Sequence, residues 1–116
     1  MARVKRGVMI KKSTKNTLAK TKGFRHGRKN LIRMAKQAIV NAGKFAYRDR
    51  RNRKRSFRQL WIIQINAACG LNDIKYSIFM KGLKDKNIEL DRKVLADIAE
   101  NNPEEFAKIV EKVKTA

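Results

Sequence analysis

The stretch that decides the fold is FRQLWIIQINAACG, residues 57–70. Its apolar side chains at Phe57, Leu60, Trp61, Ile65 and Ala68 have spacings that place them along one side of an α-helix. The apolar-rich part is about a dozen residues long and contains two polar amides, so it is too short and too polar to cross a bilayer. Residues 57–70 therefore predict the end of a helix that packs into a protein core.

The same helical pattern extends towards the N-terminus, where it begins near Lys29. Apolar residues at Leu31, Ala35, Ala38 and Phe45 keep the spacing, and no proline interrupts it. A single helix over 29–69 would be roughly 60 Å long at 1.5 Å per residue. Its first half must then project from so small a domain. Gly43 is the place where we expect a kink, and Gly70 fits the position just beyond the helix end.

Residues 70–116 predict three further short helices. Asn72 or Asp73 can cap the first, Asp91 can cap the second, and Asn102 followed by Pro103 and Glu105 begins the third. The residues expected to face inward are Tyr76, Phe79, Leu83, Val94, Leu95, Ile98, Phe106, Ile109, Val110 and Val113. With Trp61 and Ile65 they form a plausible all-α core of a size that is marginal but viable.

The charge of the chain is concentrated in its first half. Of 116 residues, 30 are Lys or Arg and 10 are Asp or Glu, which gives a net charge of +20. Residues 1–60 contain 21 of the cations and one acid, Asp49, whereas residues 61–116 contain nine of each. A charge of this size on so small a protein needs a polyanion nearby, and nucleic acid is the leading candidate.

Charge and apolar pattern together divide the chain into three parts. Residues 1–28 are a basic extended arm, too poor in apolar residues to fold alone, with room for a short helix around 9–20. Residues 29–58 are the projecting basic part of the long helix, and residues 59–116 are a small helical domain. Gly23 and Gly27 frame a turn in which the backbone can approach a surface closely.

The densest block of charge is residues 47–58, YRDRRNRKRSFR, with six arginines and one lysine. On a helix these side chains point almost all round, so they repel one another in water but can each meet a phosphate of RNA or DNA. Asp49 is expected to pair with Arg53 at i+4. Tyr47, Phe24 and His26 interleave with the charges and could stack on unpaired bases, although packing is an equal alternative for Phe24.

This chain lacks the residues that several other classes of protein need. Cys69 is the only cysteine, so no internal disulfide or cysteine-based zinc cluster can form, and we expect it to be buried and reduced. His26 is the only histidine, and the sequence contains no acid–base–nucleophile set, metal site or cofactor motif. We expect no secretory signal, because no apolar run follows the first basic residues. We therefore expect neither an enzyme nor a cofactor.

The sequence argues against two alternatives to an RNA-binding protein. A basic-helix DNA-binding protein would need a dimerisation zipper, and no sustained heptad is present. A membrane-active cationic helix would need an apolar face opposite its charges, which residues 47–56 lack.

Residues 46–62, AYRDRRNRKRSFRQLWI, closely resemble the L-twenty family of bacterial-type large-subunit ribosomal proteins. The likeness covers nearly the whole chain and includes residues 1–7 (MARVKRG), 22–24 (KGF), 65–68 (INAA), 76–77 (YS) and 91–99 (DRKVLADIA). One departure is Gln64, where the family usually has arginine. Glutamine can donate a hydrogen bond there but brings no charge.

The resemblance implies an all-α component of the large ribosomal subunit that binds large-subunit rRNA directly. In such proteins the basic half threads between rRNA helices, the C-terminal domain sits on an rRNA junction, and the protein acts early in assembly. Some members also repress translation of their own mRNA. Neighbouring large-subunit proteins are further partners, and neither a membrane nor an obligate homo-oligomer is involved. The expected location is the cytoplasmic ribosome, with an organellar ribosome left open.

The residues expected to contact RNA are the cations and interleaved rings of the basic half together with a few polar residues of the C-terminal domain. They are Arg3, Lys5, Arg6, Lys11, Lys12, Lys15, Lys20, Lys22, Arg25, His26, Arg28, Lys29, Tyr47, Arg48, Arg50, Arg51, Arg53, Lys54, Arg55, Arg58, Asn66, Tyr76, Ser77, Arg92 and Lys93.

Overall fold

All regular structure in residues 2–115, the part of the chain described by a computed structural model, is helical. The elements are α1 (Gly7–Lys20), a three-residue 3₁₀ turn (His26–Arg28), α2 (Ile32–Leu71), α3 (Tyr76–Asp85), α4 (Arg92–Asn101) and α5 (Pro103–Lys114). This confirms the all-α prediction and the single long helix. The chain forms two compact units, and the boundary between them falls between Arg51 and Asn52. The predicted three-part division stays a prediction.

The first unit contains more helix than an extended arm implies. Helix α1 begins at Gly7, two residues before the predicted start, and ends at Lys20 as predicted. Its lysines, Leu18 and Ala19 are good helix formers, and no proline is present. The helix stops before Gly23, whose φ of 90° is readily adopted only by glycine. The buried residues of this unit are Thr21 and Ala35, so it has little core.

The end of α2 differs in detail from the prediction. The helix passes through Gly43 and Gly70 and ends one residue later than Gly70. The Asn72 side chain donates to the Ala68 carbonyl at 2.8 Å, so it satisfies the end of α2 and cannot cap α3. Asp73 has a φ of 56°, the left-handed conformation typical of a helix end. The prediction that either residue caps the next helix is therefore wrong.

The starts of α4 and α5 agree better with the sequence. The Asp91 side chain accepts a hydrogen bond from the Val94 N–H at 2.9 Å, which confirms it as the N-cap of α4. Asn102 is the N-cap residue of α5 and Pro103 its first residue, although the Asn102 side chain makes no capping hydrogen bond. The prediction that Val94 faces inward is wrong, since Val94 is exposed. Leu95 and Ile98 form the inner face of α4. The side chain of Val94 lies about 100° round the helix from that of Leu95 and therefore points away from that face.

The second unit is held together by a core to which all four of its helices contribute. The buried residues are Ile65, Cys69, Phe79, Leu83, Leu95, Ala96, Phe106 and Val110. At its centre the rings of Phe79 and Phe106 lie with their centroids 5.3 Å apart and tilted by 41°. Trp61 and Tyr76 are half-buried against this core, as expected. Gly82 lets α3 approach α5, since a Cβ there would collide with Val113.

Two lysine side chains bind backbone carbonyls at the ends of helices α5 and α2. Lys86 Nζ donates to the carbonyls of Lys112 and Thr115, at the C-terminal end of α5. Lys114 Nζ donates to the Asn72 carbonyl at 2.6 Å, after the end of α2. Cations at helix C-termini complement the helix dipole and satisfy carbonyls that have no partner within the helix.

We expect the Cys69 thiol to be unreactive in the folded protein. Burial raises the pKa of this thiol to about 11 from an ordinary 9.0. Because the folded pKa is the higher one, the unfolded state loses its proton first as pH rises, and stability should fall between about pH 9 and 11. Iodoacetamide at mildly alkaline pH should label Cys69 only after denaturation in urea. Rapid labelling of the native protein would contradict this.

Candidate nucleic-acid interface

The basic half presents its charge to solvent almost without compensation. All 21 Lys and Arg side chains of residues 1–60 are exposed. Within residues 2–115 two ion pairs form, Arg48–Asp49 at 3.1 Å and Lys108–Glu105 at 2.8 Å. Arg48 is therefore the only cation of that half with a carboxylate partner in the described chain. The structure thus leaves the charge available to a polyanion.

The predicted contact residues are distributed over every element. Arg3, Lys5 and Arg6 precede α1, Lys11, Lys12, Lys15 and Lys20 lie on it, and Lys22, Arg25, His26, Arg28 and Lys29 lie between α1 and α2. Residues Tyr47, Arg48, Arg50, Arg51, Arg53, Lys54, Arg55, Arg58 and Asn66 lie on α2, Tyr76 and Ser77 on α3, and Arg92 and Lys93 on α4. His26 has a φ of 59°, consistent with the predicted turn.

Guanidinium groups lie over three aromatic rings of α2, those of Phe45, Tyr47 and Phe57. The Arg51 guanidinium carbon lies 3.8 Å from the centroid of the Tyr47 ring, and its Nη1 donates to the Tyr47 carbonyl at 3.3 Å. The Arg53 guanidinium carbon lies farther from its ring, 5.6 Å from the centroid of Phe57. The expected Asp49–Arg53 pair is not formed, because Asp49 pairs with its neighbour Arg48. Stacking on a ring orders an arginine side chain before any partner arrives.

Three further cations share the properties of the predicted set. Arg33, Lys36 and Lys44 are exposed on α2, and none forms an ion pair in the part of the chain described. The prediction omitted them because it concentrated on the arm and on residues 47–58. The charge count alone would have found them, since residues 30–46 contain no acid.

The structure brings two predicted residues of the second unit together. Arg92 Nε donates to Tyr76 Oη at 3.0 Å, between α4 and α3. This contact uses one donor of the guanidinium and leaves the two Nη groups to bind a phosphate. Asn66 and Ser77 are exposed, whereas Lys93 lies beside Asp91 and Asp97, which makes phosphate contact at Lys93 electrostatically less favourable.

We expect Tyr76→Phe to weaken RNA binding without unfolding the protein. The substitution retains the ring that packs against the core but removes the acceptor that positions Arg92. Affinity for an rRNA fragment should fall about threefold to tenfold, the usual effect of losing one hydrogen bond. Filter binding and thermal unfolding, run on the same samples, separate the two effects. Equal affinity would show that Arg92 needs no positioning by Tyr76.

The described residues offer neither a metal-binding cluster nor a membrane-spanning helix. Residues 2–115 contain no group of three or more His, Cys, Asp or Glu side chains arranged to hold a metal ion. No helix in that range combines the length and apolar character needed to cross a membrane.

Comparison with known proteins identifies the family. A family model described as Ribosomal protein L20 matches residues 3–109. Proteins named large ribosomal subunit protein bL20 are similar to this chain. The one from Marinobacter nauticus is 53% identical over 116 residues, covering 100% of this chain and 99% of the relative. The one from Methylibium petroleiphilum is 56% identical over 114 residues, covering 98% and 97%. The one from Roseiflexus sp. is 50% identical over 116 residues, covering 100% and 99%. Since the family model and these relatives cover almost the full length, the resemblance is confirmed and the chain belongs to the ribosomal protein L20 family.

Proposed function

We propose that this protein is a structural constituent of the large ribosomal subunit that binds large-subunit rRNA directly and supports early subunit assembly. One observation carries the proposal. Residues 1–60 expose 21 cations against a single acid, and the described structure pairs only one of those cations. In an isolated protein these cations repel one another, whereas in a protein enclosed by phosphates each cation can form a favourable contact.

The proposed mechanism is charge neutralisation. RNA segments repel one another through their phosphates, and cations placed between them allow closer approach. Arginine suits this task because its planar group can hold a phosphate oxygen pair with two parallel hydrogen bonds. The block at residues 47–58, with six arginines and one lysine, would be the densest contact. Supporting early assembly follows if these contacts hold RNA segments together before other proteins join.

The second unit supplies shape rather than charge in this proposal. Residues 61–116 are electrically neutral overall, so they cannot attract RNA nonspecifically as the first half does. Their fold presents Arg92 from a defined position, held by Tyr76. Asn66 and Ser77 offer neutral hydrogen-bonding groups on the surface. Such groups suit recognition of a folded RNA junction, where the geometry of the backbone is read.

Family membership bears on catalysis, on location and on the choice between RNA and DNA. A ribosomal protein of this family is not an enzyme, and its place is on the ribosome in the cytoplasm, as expected. It also favours RNA over the DNA-binding alternative, for which α2 offers no zipper.

Salt-dependent binding of the full chain tests the proposal. Its affinity for a large-subunit rRNA fragment should fall by about 10³-fold or more between about 50 and 200 mM salt, as counterions compete for the phosphates. At the higher salt the fragment should still be preferred over duplex DNA of equal length. A weak salt dependence, or equal affinity for both nucleic acids, would contradict the proposal.

We extend the proposal to feedback on the chain's own mRNA. A messenger segment that folds like the rRNA site would meet the same surface of the second unit. The rRNA fragment and the messenger leader should then compete for one site, and Tyr76→Phe should weaken both to the same extent. Simultaneous binding of the two RNAs to one protein molecule would refute this extension.

A further inference from the structure

Helices α2 and α4 line an open groove on the second unit, and Lys93 is the only expected RNA contact among its lining residues. The groove has a volume of about 670 Å³, and its apolar lining comes from Phe57, Leu60, Trp61 and Val94. Phe57 is 43% exposed, Leu60 46% and Val94 42%, so these large side chains lie open to water. Apolar side chains that face the same groove mark an interaction surface more often than single exposed ones do.

The rim of this groove is acidic, in contrast to the rest of the protein. Asp91, Asp97 and Glu100 line it with a single cation, Lys93. None of the three carboxylates forms an ion pair in residues 2–115. Their hydrogen-bond partners are neutral: Asp91 accepts from a backbone N–H, Asp97 from Asn101 Nδ2 at 2.6 Å, and Glu100 from Gln64 Nε2 at 3.4 Å. The three carboxylates outnumber Lys93, so the lining is net negative on a chain of net charge +20, and the nearby Arg53 guanidinium lies over the Phe57 ring.

We propose that this groove docks a basic segment of another protein, one in which aliphatic or aromatic residues lie between lysines or arginines. The apolar lining would bury the anchor residues of the segment, and the carboxylates would meet its cations. This inference goes beyond the proposed RNA binding. The docking proposal can be wrong while the RNA-binding proposal remains right.

Charge complementarity selects this occupant over the others. A nucleic acid would bring phosphates towards three carboxylates, which is repulsive. A second copy of this chain would bring a net charge of +20 towards an equal charge, which opposes self-association. A short basic segment of a different protein carries much less charge than a second copy, so its attraction to the adjacent carboxylates exceeds the long-range repulsion, which salt screens.

A peptide probe tests the docking surface on the full-length protein. The probe is a short fluorescein-labelled peptide in which leucines are flanked by lysines, and anisotropy measures its binding at physiological salt. The double variant Asp97→Lys with Glu100→Lys should bind it at least about tenfold more weakly. The matched control, Glu89→Lys with Glu111→Lys, changes the net charge equally at exposed residues that do not line the groove, and should stay within about twofold of the unmodified protein. Equal losses in both variants would overturn the proposal.

A second pair of variants tests the apolar lining. Leu60→Ser with Val94→Ser alters side chains that are already exposed, so the protein should remain folded. This variant should lose peptide binding by about tenfold, and a peptide with serines in place of leucines should bind the unmodified protein about as poorly. Its affinity for the rRNA fragment should not change. A loss of rRNA affinity would make the groove an RNA surface, and self-association that disappears in this variant would make it a contact between copies. Either result would overturn the proposal.

Discussion

Replacing Arg50, Arg51, Arg53, Lys54 and Arg55 by glutamine will lower the affinity for a large-subunit rRNA fragment by about 10³-fold at physiological salt. Each of these side chains is exposed, and none forms an ion pair within residues 2–115. A charged hydrogen bond to phosphate contributes about 1 kcal/mol or more, so five lost contacts amount to several orders of magnitude. The slope of log affinity against log salt should also decrease by about 4, since each lost contact removes about 0.7 to 0.9.

A matched variant separates local contact from total charge. Glutamine at Lys75, Lys81, Lys84, Lys108 and Lys112 removes the same charge from the neutral half of the chain. That variant should lose less than about tenfold in affinity, because its charges act only at long range through screening salt. Circular dichroism should show that α2 is retained in the first variant, where repulsion at i,i+4 has been relieved. Equal losses in the two variants would mean that residues 50–55 make no special contact.

Replacing Phe79 by alanine will unfold most of the second unit. Phe79 is fully buried, and its ring lies 5.3 Å from that of Phe106 between their centroids. Removing such a ring from a core costs about 3–5 kcal/mol. A core built by only some 60 residues has about that much stability in total. Trp61 is the only tryptophan and packs against this core, so its fluorescence will follow the transition in urea.

Ile78→Ala is the control for this experiment. Ile78 is the neighbour of Phe79 in sequence but is 57% exposed, so its loss should change stability by less than about 0.5 kcal/mol. The Phe79→Ala protein should still bind RNA at low salt through its first half, but it should no longer prefer the rRNA fragment. A cooperative transition at the original urea concentration would contradict the central position of Phe79.

Most of the fold could be predicted from local sequence signals. The spacing of apolar residues predicted the long helix. The start of α4 was predicted by Asp91, and that of α5 by Asn102 and Pro103. The start of α3 was missed because the amide of Asn72 bonds back to Ala68. A capping residue between two helices can serve either one, and only the packed structure decides which.

The exposed charge of the interface could be predicted from the sequence. The contacts between side chains of different helices could not. The exposure of the basic half follows from the charge count, because so many cations cannot be buried. The position of Arg51 over Tyr47 is an i,i+4 pair and could have been read from the spacing. The Arg92–Tyr76 contact joins two helices, and the acidic groove joins α2 to α4, so both require tertiary packing.

The exposure of all 21 lysines and arginines in residues 1–60 also affects how quickly a molecule without bound RNA is degraded. Proteases with trypsin-like specificity cut after these residues, and the first unit has little core to protect its backbone when its helices fray. RNA that covers the cations covers the same peptide bonds. Surplus copies should therefore be degraded quickly while assembled ones persist, which would match the amount of this protein to the amount of RNA available to hold it.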